Sequence, residues 1–240
     1  MSLRVEALSV SMPGGPVLSG VSLALNRGEI VGLTGSSGAG KSVIADAIAG
    51  ALPAGAVLSG RITIDGAAAG HGSIALAPQL LGALDPLARV GTQIDRFARL
   101  AGRRVDLHSA LADVGLPQGA ARKFPHELSG GMARRVLLAT ALATGAEWIV
   151  ADEPTVGLDD EAAGRIMSLL AELAASGRGV IVISHDLIRL AEIASHILIM
   201  HDGQPVETAP ASAFMATEQR LHHAFSRALW QAQPGTRFTC

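Results

Sequence analysis

One octapeptide constrains this chain more than any other feature: Gly35-Ser36-Ser37-Gly38-Ala39-Gly40-Lys41-Ser42. It fits the pattern G-x-x-x-x-G-K-[ST], follows an apolar strand (Glu29 to Leu33) and opens an apolar helix starting at Lys41. That context gives the pattern its meaning. Glycines let the backbone curl until successive N–H groups point inward, and the helix N-terminus adds positive potential. Lys41 then offers a compact ammonium to β- and γ-phosphates, which it suits better than a planar guanidinium does. Ser42 offers a hydroxyl to Mg²⁺. Of 19 Lys and Arg only Lys41 and Lys123 are lysines, so a lysine here is not drawn from an abundant pool.

A loop of this kind needs a parallel sheet behind it, and the remaining sequence predicts one. Short β-rich runs alternate with alanine-rich helical stretches, the signature of an α/β fold with a mainly parallel sheet. Strands are expected at 4–10, 21–25, 29–33, 61–64, 73–77, 148–151, 180–184 and 196–200. Helices are expected at 41–49, 90–101, 107–114, 129–143, 160–176, 187–194 and 218–231. Turn signals at Pro13-Gly14-Gly15, Asn26-Arg27-Gly28 and Asp65-Gly66 mark the early strands as antiparallel hairpins. The stretch 80–143 lacks a strong strand signal and reads as a helical subdomain inserted between core strands.

Apolar residues reach 49% of the 240, but alanine and glycine carry much of the excess. No run approaches the roughly 18–20 apolar residues of a membrane span, and Glu6 comes too early for a signal peptide. The single cysteine, Cys240, cannot form an intramolecular disulfide or a thiolate metal site, which fits a reducing cytoplasm. A net charge of -2 gives no field to draw in nucleic acid, and none is expected as a partner.

Two carboxylates end the strand that begins at Trp148. In a parallel sheet that end faces the ligand crevice, so Asp152 is a candidate for holding Mg²⁺ and Glu153 for the general base that polarises an attacking water. Downstream of Leu80, Leu128-Ser129-Gly130-Gly131-Met132 opens another helix. Ser129 with the Gly130 and Gly131 amides forms a second phosphate nest.

With this segment the chain resembles the ATP-binding-cassette (ABC) ATPases, whose signature is L-S-G-G-Q. Other family motifs follow in the family's order: a glutamine after a strand (Ala77-Pro78-Gln79), a D-loop (Gly157-Leu158-Asp159) and a switch histidine (His185). The resemblance implies a single ABC domain over 1–240: a P-loop NTPase, RecA-like core with an antiparallel β-subdomain (about 1–79 and 144–208), an inserted α-helical subdomain (about 80–143), and a C-terminal helix and tail (209–240). It implies binding of ATP and Mg²⁺ by Gly35 to Ser42, with Ser42, Gln79 and Asp152 at the metal, and catalysis by Glu153, His185 and Gln79. Ser129, Gly130 and Gly131 would act on ATP held by the opposite subunit, so that two chains sandwich two nucleotides, and Asp159 of the D-loop would be a further nucleotide-binding residue. The other histidines, including His222-His223, are given no role.

Two positions depart from the family pattern. Met132 stands where most members have Gln, which leaves the backbone nest intact. The family stacks adenine on an aromatic of the first hairpin, whereas this chain has no aromatic before Phe97. Met12 occupies the matching place, and its thioether packs on a ring more weakly.

Finer likenesses point to one branch. Leu84-Asp85-Pro86 through Val90-Gly91-Thr92-Gln93-Ile94 resembles the N-P-x-x-x-V-G-x-Q-I run of peptide and nickel importers. Phe124-Pro125-His126-Glu127 resembles their Y-P-H-E, and His223 to Leu229 resembles their H-P-Y-T-R-A-L. The resemblance implies the ATPase of a bacterial importer, peripheral on the cytoplasmic face of the inner membrane. Its partners would be a second ABC ATPase (a related chain or a second copy), two transmembrane permeases and, indirectly, an external solute-binding protein. Leu80, Leu81, Leu84 and Leu87 are candidate permease contacts. An ABC exporter ATPase or a non-transport ABC ATPase remains the alternative.

Overall fold

The computed structural model describes residues 1–70, 72–215 and 221–234. In chain order the strands and helices are β1 (Ser2–Met12), β2 (Gly15–Asn26), β3 (Ile30–Gly35), α1 (Lys41–Ala49), β4 (Val57–Ile64), β5 (Ala67–Ala68), β6 (Ile74–Ala77), α2 (Val90–Leu100), α3 (Leu107–Asp113), α4 (Gly130–Ala143), β7 (Trp148–Asp152), α5 (Asp160–Ala175), β8 (Gly179–Ile183), α6 (Leu187–Ile193), β9 (His196–His201), β10 (Gln204–Pro210) and α7 (Ala224–Gln231). Two sheets result. One is antiparallel, in the order β2-β1-β4-β5; the other has six strands, in the order β10-β9-β3-β8-β7-β6. All pairs in the second sheet are parallel except β10 against β9.

The central strands read as unbroken apolar runs because both of their faces are covered. Alternation sends the side chains in opposite directions. Val180 and Val182 join Ile149, Ile197 and Ile199 in a core shared with α2, α4, α5 and α6. Ile181 and Ile183 join Val31, Leu33, Val150 and Leu198 in a second core, closed by α1 and by β1 and β2 of the antiparallel sheet. Strand β3 lies between β9 and β8, so the loop that leaves its C-terminal end sits at the centre of the sheet's edge.

Several sequence expectations shift. The Asp202–Gly203 turn, with φ of 46° and 76°, sends the chain back into β10, a strand not predicted. Its Pro205 and Pro210 suit an edge strand, where a missing N–H leaves no ladder bond broken. Strand β5 was also not predicted, and β2 and β4 begin earlier than expected. The helix expected at 218–231 starts at Ala224 instead, with His223 capping it through an Nδ1 that accepts from the Phe225 N–H at 3.2 Å; 218–220 lie outside the described residues, as does Cys240. Among the described residues no helix is long and apolar enough to cross a membrane.

The chain passes from β6 to β7 through α2, α3 and α4, whose inner faces (Val90, Ile94, Leu111, Val136) join the sheet's own core. Gln93 explains the Leu84–Ile94 motif physically. It is 2% exposed, donates from Nε2 to the Asp85 and Ala88 carbonyls at 3.0 and 2.8 Å, and accepts from the Asp85 N–H at 2.9 Å. The loop is thereby folded onto α2. That folding separates the four leucines: Leu84 is buried in the core and Leu81 packs against it, whereas Leu80 and Leu87 are 76% and 87% exposed. Leu84 is thereby removed as a contact, since it lies just after the 3₁₀ turn at Leu81–Ala83 with its side chain in the core, and Leu80 and Leu87 are the most exposed of the four.

Replacing Gln93 by Ala leaves three loop groups without their partner. The expected loss is about 1–3 kcal/mol of stability, read from urea unfolding. An unchanged midpoint would show that the loop does not depend on this amide.

Candidate active site

The loop 35–42 is shaped by close packing from outside. Gly35 has φ +147°, and a Cβ there would lie 2.0 Å from the Met200 carbonyl oxygen, so any side chain would drive β9 off β3. Gly40 is the N-cap of α1 and brings no side chain to cap it, and the first turn of α1 carries no acidic residue. In α3, α4, α5, α6 and α7 a side chain does cap the N-terminus. The positive end of α1 is thus left to a ligand. Lys41 Nζ folds back on the loop, donating to the Gly35 and Ser36 carbonyls at 3.0 and 2.9 Å. Burial lowers its pKa, against the pull of Glu153 and Asp152.

A cleft of about 500 Å³ opens over the loop. Gly35, Ser37, Gly38, Ala39, Gly40, Lys41 and Ser42 line it together with Gln79, Asp152, Glu153 and His185. Ser36 is absent from this lining, since its hydroxyl turns toward His201 (Oγ to Nδ1, 3.3 Å). Three further lining residues, Val17, Val43 and Val156, carry no chemical signature in the sequence. Met12 does not line the cleft; it packs, half-buried, against the core beneath the antiparallel sheet.

The two carboxylates are 4% and 6% exposed. Burial pushes the Asp152 carboxyl up to about 6; Glu153 and Asp46 push the same way, while a hydrogen bond from Ser42 and the charge of Lys41 oppose it. Asp152 Oδ1 has no hydrogen-bond partner. A buried, unpartnered carboxylate oxygen beside a serine hydroxyl fits a hard divalent cation with oxygen ligands. Glu153 is held in a left-handed conformation (φ 50°), which a non-glycine residue adopts only when its surroundings impose it. Its N–H donates to the Ile183 carbonyl at 2.9 Å, which ties it to β8. Its Oε2 lies 2.8 Å from His185 Nδ1. Residues 32 apart in sequence are therefore already joined as a carboxylate–imidazole pair.

Ser129, Gly130 and Gly131 are outside that cleft's lining. Ser129 caps α4, its Oγ accepting from the Met132 N–H at 3.2 Å. Gly131 lies against the Gly157–Leu158 loop, where a Cβ would meet Leu158 Cδ2 at 2.7 Å. Arg134 ties the two segments by donating to the Val156 carbonyl at 2.9 Å. Asp159 is the N-cap of α5, accepting from the Ala162 N–H at 2.7 Å. Within the single chain the Ser129–Gly131 segment thus stands apart from the cleft over the 35–42 loop.

This arrangement agrees with the comparisons. Residues 18–156 match the family model described as "ABC transporter". The chain belongs to the ABC transporter ATP-binding family. A Brucella abortus chain named as a putative peptide import ATP-binding protein is 35% identical over 90% of this chain and 69% of its own length. The dipeptide transport ATP-binding protein DppD of Escherichia coli is 34% identical over 89% of this chain and 71% of its own. Among solved structures, a dimeric ATP-binding cassette in a post-hydrolysis state bound to ADP and Pi superposes with a TM-score of 0.78 at 25% identity, covering 87% of this chain and 98% of that one. The cassette binds adenine nucleotide and is an ATPase.

Folding raises the Asp152 pKa, so the folded chain holds this proton more tightly than the unfolded one. Stability is therefore lost as pH rises above the ordinary value of 3.8, and the loss is complete above about 6. At about 1.4 kcal/mol per unit, the ionised form costs up to about 3 kcal/mol. Asp152→Asn should raise the melting temperature of the nucleotide-free chain by roughly 5 °C at pH 8 and leave it unchanged near pH 4. A lower melting temperature at pH 8 would show that the carboxylate stabilises the fold.

Proposed function

We propose that this cassette is the ATP-hydrolysing subunit of a bacterial peptide importer, peripheral on the cytoplasmic face of the inner membrane. The observation that carries the catalytic part is Glu153, a buried carboxylate in a strained conformation beside the mouth of the phosphate loop. The loop amides and Lys41 bind the triphosphate, and Ser37 to Ala39 wrap the β-phosphate. Ser42, Asp152 and Gln79 would hold Mg²⁺, which would spread the charge of the β- and γ-phosphate oxygens. Water attacks the γ-phosphorus as the bond to the β–γ bridging oxygen breaks, and Glu153 accepts the proton of that water. His185 orients Glu153 in the nucleotide-free chain and turns to the γ-phosphate when ATP enters. Val17 is the group of the antiparallel sheet from which adenine can draw apolar contact.

The separation of Ser129–Gly131 from the chain's own cleft supports a sandwich of two cassettes. The signature of each would close on the nucleotide of the other, with Asp159 near the seam. The Ser129 hydroxyl accepts within its own chain, which leaves its proton free to donate to a γ-phosphate oxygen. Closure would pull on two permease subunits through exposed Leu80 and Leu87, and an external solute-binding protein would deliver cargo to them. The names of the relatives favour peptide over nickel as cargo.

The test combines chemistry with transport. Glu153→Gln should retain ATP binding while turnover falls roughly 10²–10⁴-fold. Cells lacking the gene should regain uptake of a labelled dipeptide from the wild-type gene and not from the Glu153→Gln gene. Normal hydrolysis by the variant would remove Glu153 from the mechanism. Undiminished dipeptide uptake in the deletion strain would remove the cargo assignment.

A further inference from the structure

The segment 221–234 has no place in the site described above, yet it touches that site's supports at both of its ends. On α7, the Phe225 ring stacks on the His201 imidazole, with centroids 4.1 Å apart and planes 23° apart. His201 Nδ1 in turn is hydrogen-bonded to Ser36 Oγ at 3.3 Å. Ser36 is the loop residue whose carbonyl receives the Lys41 ammonium and whose side chain faces away from the cleft. Near the other end, Gln233 is 8% exposed, and its Oε1 accepts from the Leu187 N–H at 3.0 Å. Leu187 begins α6, two residues after His185. The segment itself is fixed to β10, where Glu207 accepts from the His222 and His223 N–H groups at 2.7 and 3.1 Å.

We propose that Phe225 and His201 are positioning residues for nucleotide binding: through Ser36 they hold the first shoulder of the phosphate loop from outside the cleft. The inference rests on the ATP-binding reading given above. A loop that works through backbone amides binds tightly only if its curl exists before the ligand arrives. A brace inside the cleft would take the space that a triphosphate needs. The brace has to come from behind, and Ser36 is the loop residue turned that way. Gly35 beside it already rests on the carbonyl of Met200, the neighbour of His201, so β9 supports two successive loop residues. Phe225 limits the imidazole to the orientation in which Nδ1 meets Ser36. Since Phe225 acts only through His201, the two contacts work in series.

The test is calorimetric titration of the full chain with Mg-ATP, with steady-state hydrolysis alongside. His201→Ala and Phe225→Leu, the latter keeping apolar volume without a ring, should each weaken binding about 3–10-fold, the range expected for one lost hydrogen bond. The KM for ATP should rise by the same factor with kcat nearly unchanged. His201→Asn, which keeps a hydrogen-bonding atom near Nδ1, should restore most of the affinity. The double variant should be no weaker than His201→Ala alone. Wild-type affinity in both single variants, or a double variant whose effects multiply, would overturn the proposal. So would a His201→Asn variant as weak as His201→Ala. Lys41→Ala separates the two readings. If wild type itself fails to bind Mg-ATP, the ATPase reading falls and this inference with it. If wild type binds, Lys41→Ala does not, and Phe225→Leu matches wild type, the brace alone is wrong.

Discussion

A phosphate loop must present backbone amides to solvent in a curl that no side chain fills, and the rest of this fold serves that requirement. The curl hangs from β3, which is clamped in register between β8 and β9 at the centre of the six-stranded sheet. The Met200 carbonyl occupies the place where a residue other than glycine at position 35 would carry its Cβ. The Lys41 ammonium rests on the loop's own carbonyls. The N-terminus of α1 is left without a side-chain cap while most of its fellow helices have one. Together these features preorganise the loop for an anion.

The same logic governs the carboxylates. Two neighbouring acids, both nearly inaccessible, raise the energy of the nucleotide-free chain, as the elevated Asp152 pKa expresses. Lys41 and Ser42 offset part of that cost. Glu153 adds backbone strain, held in place by the Ile183 carbonyl and by His185. Stored local cost of this kind gathers where ligand binding can relieve it. The Ser129–Gly131 segment, at the start of α4, stands apart from the cleft, and Arg134 of the same helix is tied instead to the Val156 carbonyl. That separation is what the proposed sandwich of two cassettes rests on.

What the sequence made legible follows a physical pattern. Helix α1 was readable to the residue, because the loop motif sets its start and Gly50 its end. The carboxylates and His185 were readable because parallel strands deliver their C-terminal ends to one crevice. Features that arise only when distant segments meet left no local trace. Val17 lines the cleft as an ordinary strand valine. His201 read as a histidine without a role until Ser36, 165 positions away, was found against it. Leu84 could not be told from Leu80 and Leu87 until Gln93 folded the loop between them onto α2. Strand β10 is a different case, since Asp202-Gly203 is a hairpin turn signal like Asp65-Gly66 and could have been read.

The central claim is that each nucleotide lies between the loop of one cassette and the signature of another. The direct measurement is a structure of the transporter purified through this chain, carrying Glu153→Gln and soaked with Mg-ATP. The account predicts a triphosphate held by Lys41 of this chain and by a signature segment of the neighbouring cassette, with Ser129 on the neighbour's nucleotide. Ser129 facing solvent, or bound to the nucleotide of its own chain, would contradict it.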